Sequence, residues 1–256
     1  LTFCTSHPTS AEAFFAHAQQ RSLRMIGGKV LQDRNSPDGV RDETEQSLLD
    51  TQALINRWHK KDRLGYAITP RFAPTSSIGQ LRGAGELAKQ YPDTWIQSHV
   101  SENLDEIAWV RELFPEARSY LSVYDEVGLM RKRAVYAHCI YFDQADRLLM
   151  KERQTAAAVC PTSNLFLSSG FFDFMKADAA GFNYGLASDV GGGTSFSPFR
   201  TMLAAYFVGR ESHAKQGSSI EPSHLWYMHT AGAAKALNLE GVIGNIQCGC
   251  EADFVV

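Results

Sequence analysis

Three residues able to bind a metal or move a proton stand at the ends of apolar runs in this chain. Trp95-Ile96-Gln97-Ser98 alternates apolar and polar residues as a strand does. His99 follows it, with Glu102 three residues on. Ala134-Val135-Tyr136-Ala137 runs into His138, and Asn183-Tyr184-Gly185-Leu186-Ala187-Ser188 runs into Asp189. Polar groups at the end of a buried strand are costly unless something uses them. A single histidine in such a place is more often a hydrogen-bonded core residue. Three strands that each deliver His, His and Asp to one end point instead to a metal centre. Water is a poor nucleophile at neutral pH, and a bound divalent metal lowers its pKa towards about 7. Imidazole nitrogen and carboxylate oxygen suit zinc, Zn2+, with Fe2+ as the alternative.

The elements that must position these residues alternate between short apolar runs and amphipathic helices, the pattern of a parallel α/β fold. Strands are predicted at Leu1 to Thr5, Arg24 to Gln32, Leu64 to Thr69, Thr94 to Ser98, Ala134 to Ala137, Ala156 to Cys160 and Asn183 to Ala187. A helix from Glu45 to Trp58 places Leu48, Thr51, Ile55 and Trp58 on one face. Another follows Pro198, with Phe199, Met202, Leu203, Tyr206 and Phe207 at helical spacing. Asp143 reads as the N-cap of a helix carrying Ala145, Leu148 and Leu149. A last helix starts at Pro222 and buries Leu225, Met228, Gly232, Ala233 and Ala236.

Seven strand–helix units are one short of the closed (β/α)8 TIM-like barrel, whose active sites lie at the C-terminal mouth of its strands. Counted as the second to eighth strands, these runs put His99, His138 and Asp189 after the fifth, sixth and eighth. The first strand is then expected upstream of Leu1, absent from this chain. A doubly wound open sheet is the competing α/β architecture, since it tolerates seven strands.

At 256 residues and 44% hydrophobic content the chain can bury a full core. With 25 basic against 28 acidic residues it carries a net charge of −3, which gives no electrostatic reason to expect nucleic acid or a membrane as partner. No run is apolar enough to span a bilayer, and no signal-peptide pattern opens the chain. Its five cysteines are odd in number and lack the spacing of a disulfide framework, so a reducing, cytoplasmic location is expected. Cys248-Gly249-Cys250 reads as a plain loop. Gly191-Gly192-Gly193 follows a candidate ligand and lacks the Gly-x-Gly-x-x-Gly pattern, so it reads as a tight turn that brings Asp189 to the metal. The remaining histidines, His7, His17, His59, His213, His224 and His229, are not expected to be ligands.

Several stretches carry a more particular likeness: Cys4-Thr5-Ser6-His7-Pro8, Gly28-Lys29-Val30 with Asp33-Arg34-Asn35, and Thr69-Pro70-Arg71-Phe72-Ala73-Pro74-Thr75. Gln97-Ser98-His99-Val100-Ser101-Glu102-Asn103, Cys160-Pro161-Thr162-Ser163-Asn164-Leu165-Phe166-Leu167 and Ser188-Asp189-Val190-Gly191-Gly192-Gly193-Thr194-Ser195 follow in the same order. Through them the chain resembles the guanine deaminase family of the amidohydrolase superfamily of metal-dependent barrels, from Leu1 to Val256. Pro70-Arg71-Phe72 and the Cys160 to Leu167 run are the most particular to that family.

The resemblance implies hydrolysis of guanine to xanthine and ammonia, a step of purine catabolism, by a homodimeric enzyme. His99 and Asp189 are then metal ligands, and His138 either binds the metal or hydrogen-bonds the attacking oxygen. Glu102 is the proton shuttle, protonating the ring nitrogen beside the attacked carbon, and Asp189 passes a proton towards the departing ammonia. The competing reading of Glu102 is a residue in the first turn of the following helix, where negative charge is favourable. Arg71 offers forked donors to the guanine carbonyl and Phe72 a ring to stack on the purine. Their competing reading is a surface arginine and a core phenylalanine. Asn164 and Ser163 are read as bracing the mouth through hydrogen bonds, with no chemical role assigned.

The departures from the family are equally specific. It draws two further ligands from a His-x-His pair on its first barrel strand, and no His-x-His occurs in this chain. Residues 1–237 are therefore expected to form strands two to eight of the barrel. Residues 238–256 would return towards a small β-sandwich, of which only Gly249 to Val256 is represented. The 256 residues alone are expected to be poorly soluble, with weak zinc affinity and no guanine deamination. The closest rival function is another deaminase or chlorohydrolase of the superfamily, acting on a related purine, pterin or triazine ring. An enzyme for a ring without a carbonyl acceptor has little use for Arg71. A catalytically silent binding or scaffold protein is the reading from another class. The zinc nucleotide deaminases are set aside, because Cys160-Pro161 reverses their Pro-Cys order and no second cysteine follows.

Overall fold

The computed structural model describes residues 2–5, 7–213 and 220–253. The chain divides into two compact units: residues up to His99 with Ala108–Leu129, and Val100–Ile107 with the residues from Met130 onward.

The first unit holds four parallel strands in chain order, β1 (Thr2–Thr5), β2 (Met25–Leu31), β3 (Leu64–Pro70) and β4 (Trp95–Val100). Every residue of β3 is buried, as are all but the first of β2. Strands covered on both faces need such continuous apolar runs instead of alternation. Register pairs Val30 with Thr69 and Ile68 with Ile96. The helix Thr44–Trp58 lays Thr51, Leu54, Ile55 and Trp58 inward, and the Glu43 carboxylate accepts from the Gln46 amide at its start.

The second unit holds β5 (Ala134–His138), β6 (Ala156–Val159) and β7 (Asn183–Leu186), again parallel and in chain order. A doubly wound sheet reverses its strand order at a switch point. No reversal occurs among β1 to β4 or among β5 to β7, and the fold is the (β/α)8-type succession of strand and helix. Among the described residues from Asn238 to Asp253 the chain runs through turns and no strand. Residues 254–256, part of the expected β-sandwich segment, lie outside the described residues, as does Leu1 of the first predicted strand.

Five expectations need correction. β4 runs two residues past Ser98, so His99 lies within the strand, whereas β6 stops at Val159 and Cys160 becomes the N-cap of the helix Pro161–Phe166. The Asp143 cap is present, with Asp146 answering it in a capping box. The buried residues of that helix are Asp146, Arg147 and Met150, and Leu148 is exposed. The helix from Pro222 is two helices, Pro222–His229 and Ala231–Ala236, broken at Thr230 where φ is −122° and ψ −101°. In the helix Pro198–His213 the buried face carries Met202, Ala205 and Val208, while Phe199, Leu203 and Phe207 form an exposed stripe.

Candidate active site

In the first unit the end of β4 is fastened to the segment after β3. The imidazole of His99, half-buried, lies with Nδ1 2.7 Å from the Arg71 main-chain oxygen. A carbonyl only accepts, so Nδ1 carries the proton and Nε2 is the ring's lone-pair nitrogen, the arrangement a ligating histidine uses. Arg71 itself is exposed, with its guanidinium carbon 4.7 Å from the centre of the Phe72 ring. Phe72 also meets Trp109 edge-on at 6.2 Å. The fully buried Tyr124 ties these pieces together. Its hydroxyl donates to the His99 carbonyl at 2.8 Å, accepts from the Ala73 amide at 2.8 Å, and lies 3.0 Å from Ser98 Oγ.

In the second unit Glu102, His138 and Asp189 all sit at or just beyond strand ends. Glu102 precedes Asn103, whose side chain accepts from the Glu106 amide and so caps the helix Leu104–Leu113. The reading of Glu102 as a first-turn helical residue is thereby corrected. Its carboxylate is positioned by the turn at Ser101, where φ is +50°. His138 is 1% exposed, and its Nε2 is 3.6 Å from Glu102 Oε2, too long for a direct hydrogen bond. Its Nδ1 lies 2.8 Å from the Asn164 side-chain oxygen, and Ser169 Oγ donates to Glu102 Oε1 at 2.9 Å.

The backbone is strained where these side chains are delivered. His138, Cys139 and Asp189 have φ of +73°, +53° and +46°. Non-glycine residues adopt this left-handed region at a cost of order 1–3 kcal/mol each, and such outliers cluster at functional sites. After Asp189 the glycines form the expected tight turn, with the Gly193 amide donating back to the Asp189 carbonyl. A Cβ on Gly193 would collide with the Ser188 main-chain oxygen, so glycine is required there for the turn to close, and one on Gly192 would lie 2.7 Å from Ser163 Oγ.

His138, Asp189 and Cys160 each present one ligand atom, all within 4.8 Å of one another. Imidazole nitrogen and carboxylate oxygen fit a divalent first-row ion. Burial, reinforced by the Asp189 and Glu102 charges, holds the Cys160 thiol well above its usual range. Sequence reasoning missed Cys160, although its place directly after β6 matches that of the other candidates. It also missed Ser169 and Tyr124, for which no local sequence signal exists. Of the residues set aside, His7 caps a helix by accepting from the Thr9 amide, in keeping with a structural role.

Residues 2–256 match the Amidohydrolase family. Over all 256 residues the chain is 45% identical to the guanine deaminase of Escherichia coli K12, spanning 57% of that protein. The solved E. coli guanine deaminase superposes with a TM-score of 0.93 at 44% identity, covering 97% of this chain and 57% of that one. A guanine deaminase from C. acetobutylicum with bound guanine in the active site gives 0.91 at 31% identity, covering 96% and 59%. The chain thus spans a little over half the length of the relatives it matches.

Proposed function

We propose that this chain, which belongs to the amidohydrolase family, carries the catalytic residues of a guanine deaminase, converting guanine and water to xanthine and ammonia. The observation that carries this reading is the buried His138 held beside Glu102 and near Asp189, in a chain 45% identical over its whole length to a guanine deaminase. In this reading His99, His138 and Asp189 hold a divalent metal, zinc before iron, which when bound lowers the pKa of water towards about 7.

The chain's own groups supply the rest. Glu102 gives a proton to the ring nitrogen beside the attacked carbon, so that negative charge does not build up there. Asp189 accepts a proton from the attacking water and passes it to the amine, which leaves as ammonia when the carbon–nitrogen bond breaks. The remaining hydroxyl proton returns to Glu102 as the new carbonyl forms. Arg71 donates to the guanine carbonyl, and the Phe72 ring stacks on the purine plane. Residues 1–237 form the barrel part and 238–256 the return towards a small sandwich. We assign the protein to the cytoplasm and to a homodimer. The exposed Phe199, Leu203 and Phe207, with Trp226 6.1 Å from Phe199, support self-association. Among the described residues no helix is long and apolar enough to cross a membrane.

The test is the whole protein incubated with guanine while xanthine and ammonia are both followed. Equimolar release supports the reading. Turnover of a pterin or triazine with none of guanine would replace it by the rival hydrolase, and no turnover of any ring by the silent scaffold.

A further inference from the structure

We propose that Asn164 and Ser169 are positioning residues: Asn164 fixes the tautomer and plane of His138, and Ser169 fixes the rotamer of Glu102. The inference rests on the deaminase reading for the reaction these residues serve.

Asn164 is 1% exposed, and its Oδ1 is 2.8 Å from His138 Nδ1. With an oxygen facing it, Nδ1 carries the proton, and in the neutral ring Nε2 is then the lone-pair nitrogen on the Glu102 side. Rotating the amide by half a turn would place its NH2 against Nδ1 and force the opposite tautomer, with an N–H aimed at Glu102. The two orientations therefore give His138 opposite chemistry. The Asn164 Nδ2 has no hydrogen-bond partner among the described residues. A buried donor left unpaired costs roughly 1–3 kcal/mol, which an apolar residue of the same volume would avoid. That cost is explained if the oxygen of the same amide is needed at His138.

Ser169 is 4% exposed and bonded on three sides. Its Oγ donates to Glu102 Oε1 at 2.9 Å, its carbonyl accepts from the Tyr141 hydroxyl at 2.7 Å, and its amide donates to the Asn164 carbonyl at 2.9 Å. That last bond closes the C-terminal turn after the helix Pro161–Phe166, through Ser168 at φ +58°. The two side chains are thus set by one rigid helical turn. With Oε1 occupied as an acceptor, Oε2 is the oxygen nearer His138.

The experiment uses the whole protein and reads position and turnover separately. Ring-nitrogen NMR of metal-free protein should show His138 protonated at Nδ1, unchanged in Asn164→Asp and mixed between tautomers in Asn164→Ala. A crystal structure of Ser169→Ala should show Glu102 in a different rotamer. With guanine, Asn164→Ala and Ser169→Ala should lower kcat by about 10- to 100-fold, the usual effect of removing a hydrogen-bonded support to a site residue, with KM little changed. Ser169→Thr should restore most of the loss. An unchanged His138 tautomer in Asn164→Ala, or an unchanged Glu102 rotamer in Ser169→Ala, overturns the assignment. If Asn164→Ala does not fold, a switched tautomer in Asn164→Asp overturns it equally. Absence of guanine turnover in the unmodified protein would refute the deaminase reading, while the NMR and crystallographic results still decide the positioning roles.

Discussion

His99 donates its Nδ1 proton to the main-chain oxygen of Arg71, 2.7 Å away. The acceptor belongs to the backbone, so no side-chain replacement at Arg71 removes it. The side chain and the main chain of one residue therefore serve two different ends. In the proposed function the guanidinium serves substrate, while the carbonyl orients His99 as a metal ligand.

It follows that Arg71→Ala leaves metal content intact and weakens guanine. Losing a charged donor costs about 1.5–3 kcal/mol, which corresponds to a roughly ten- to hundredfold rise in KM. Steady-state kinetics beside metal analysis checks this. A fall in bound metal with an unaltered KM would place Arg71 outside substrate recognition.

Glu102→Gln keeps the shape of the side chain and the acceptor for Ser169 while removing the exchangeable proton. Turnover should drop about 10²–10⁴-fold, the range for a general acid–base group, while guanine affinity persists. Equilibrium binding measured alongside kcat distinguishes this from a folding defect. A variant as active as the parent would end the proton-shuttle role.

Burial pushes the Cys139 thiol well above its usual range, and Cys160 likewise, with the Asp189 and Glu102 charges adding to the effect there. Cys248 is exposed and Cys250 half-exposed. At pH 8 iodoacetamide should therefore modify Cys248 and Cys250 in the folded protein, and Cys139 and Cys160 only after denaturation. Peptide mass mapping reads the result. Rapid labelling of Cys160 in the native state would contradict its buried, protonated character.

His229 is held below its ordinary range by burial, partly countered by the Leu186 backbone. Its folded form resists protonation, so the unfolded chain binds more protons in acid. Stability from this residue is present above the unfolded value of 6.5 and is lost as pH falls towards the folded value. The melting temperature should decline below about pH 6.5, the ordinary histidine value. Replacing His229 by Gln should flatten that limb. An identical acid limb in His229→Gln would assign the decline elsewhere.

Strand ends were the legible part of this sequence. His99, His138 and Asp189 stand out because polar groups break apolar runs, a contrast visible within a few residues. Burial along helices was less legible. The capping box at Asp143 and Asp146 draws charged residues inward and leaves Leu148 outside, the reverse of a hydrophobic reading. The positive φ of His138 and Asp189 left no trace, since neither is glycine. Asn164 meets His138 across 26 residues and Ser169 meets Glu102 across 67, so their pairings exist only once the chain has folded.

One phenol oxygen, that of Tyr124, joins the Ser98 hydroxyl and the His99 carbonyl to the backbone amide of Ala73. In the proposed function, ring recognition at Arg71 and Phe72 and ligand placement at His99 are therefore inherited together. A lineage drifting towards another heterocycle can exchange side chains on this frame, but lengthening or shortening the loop after β3 would disturb His99 at the same time. Descendants with new substrates should keep the loop length and the tyrosine while varying the residues at 71 and 72.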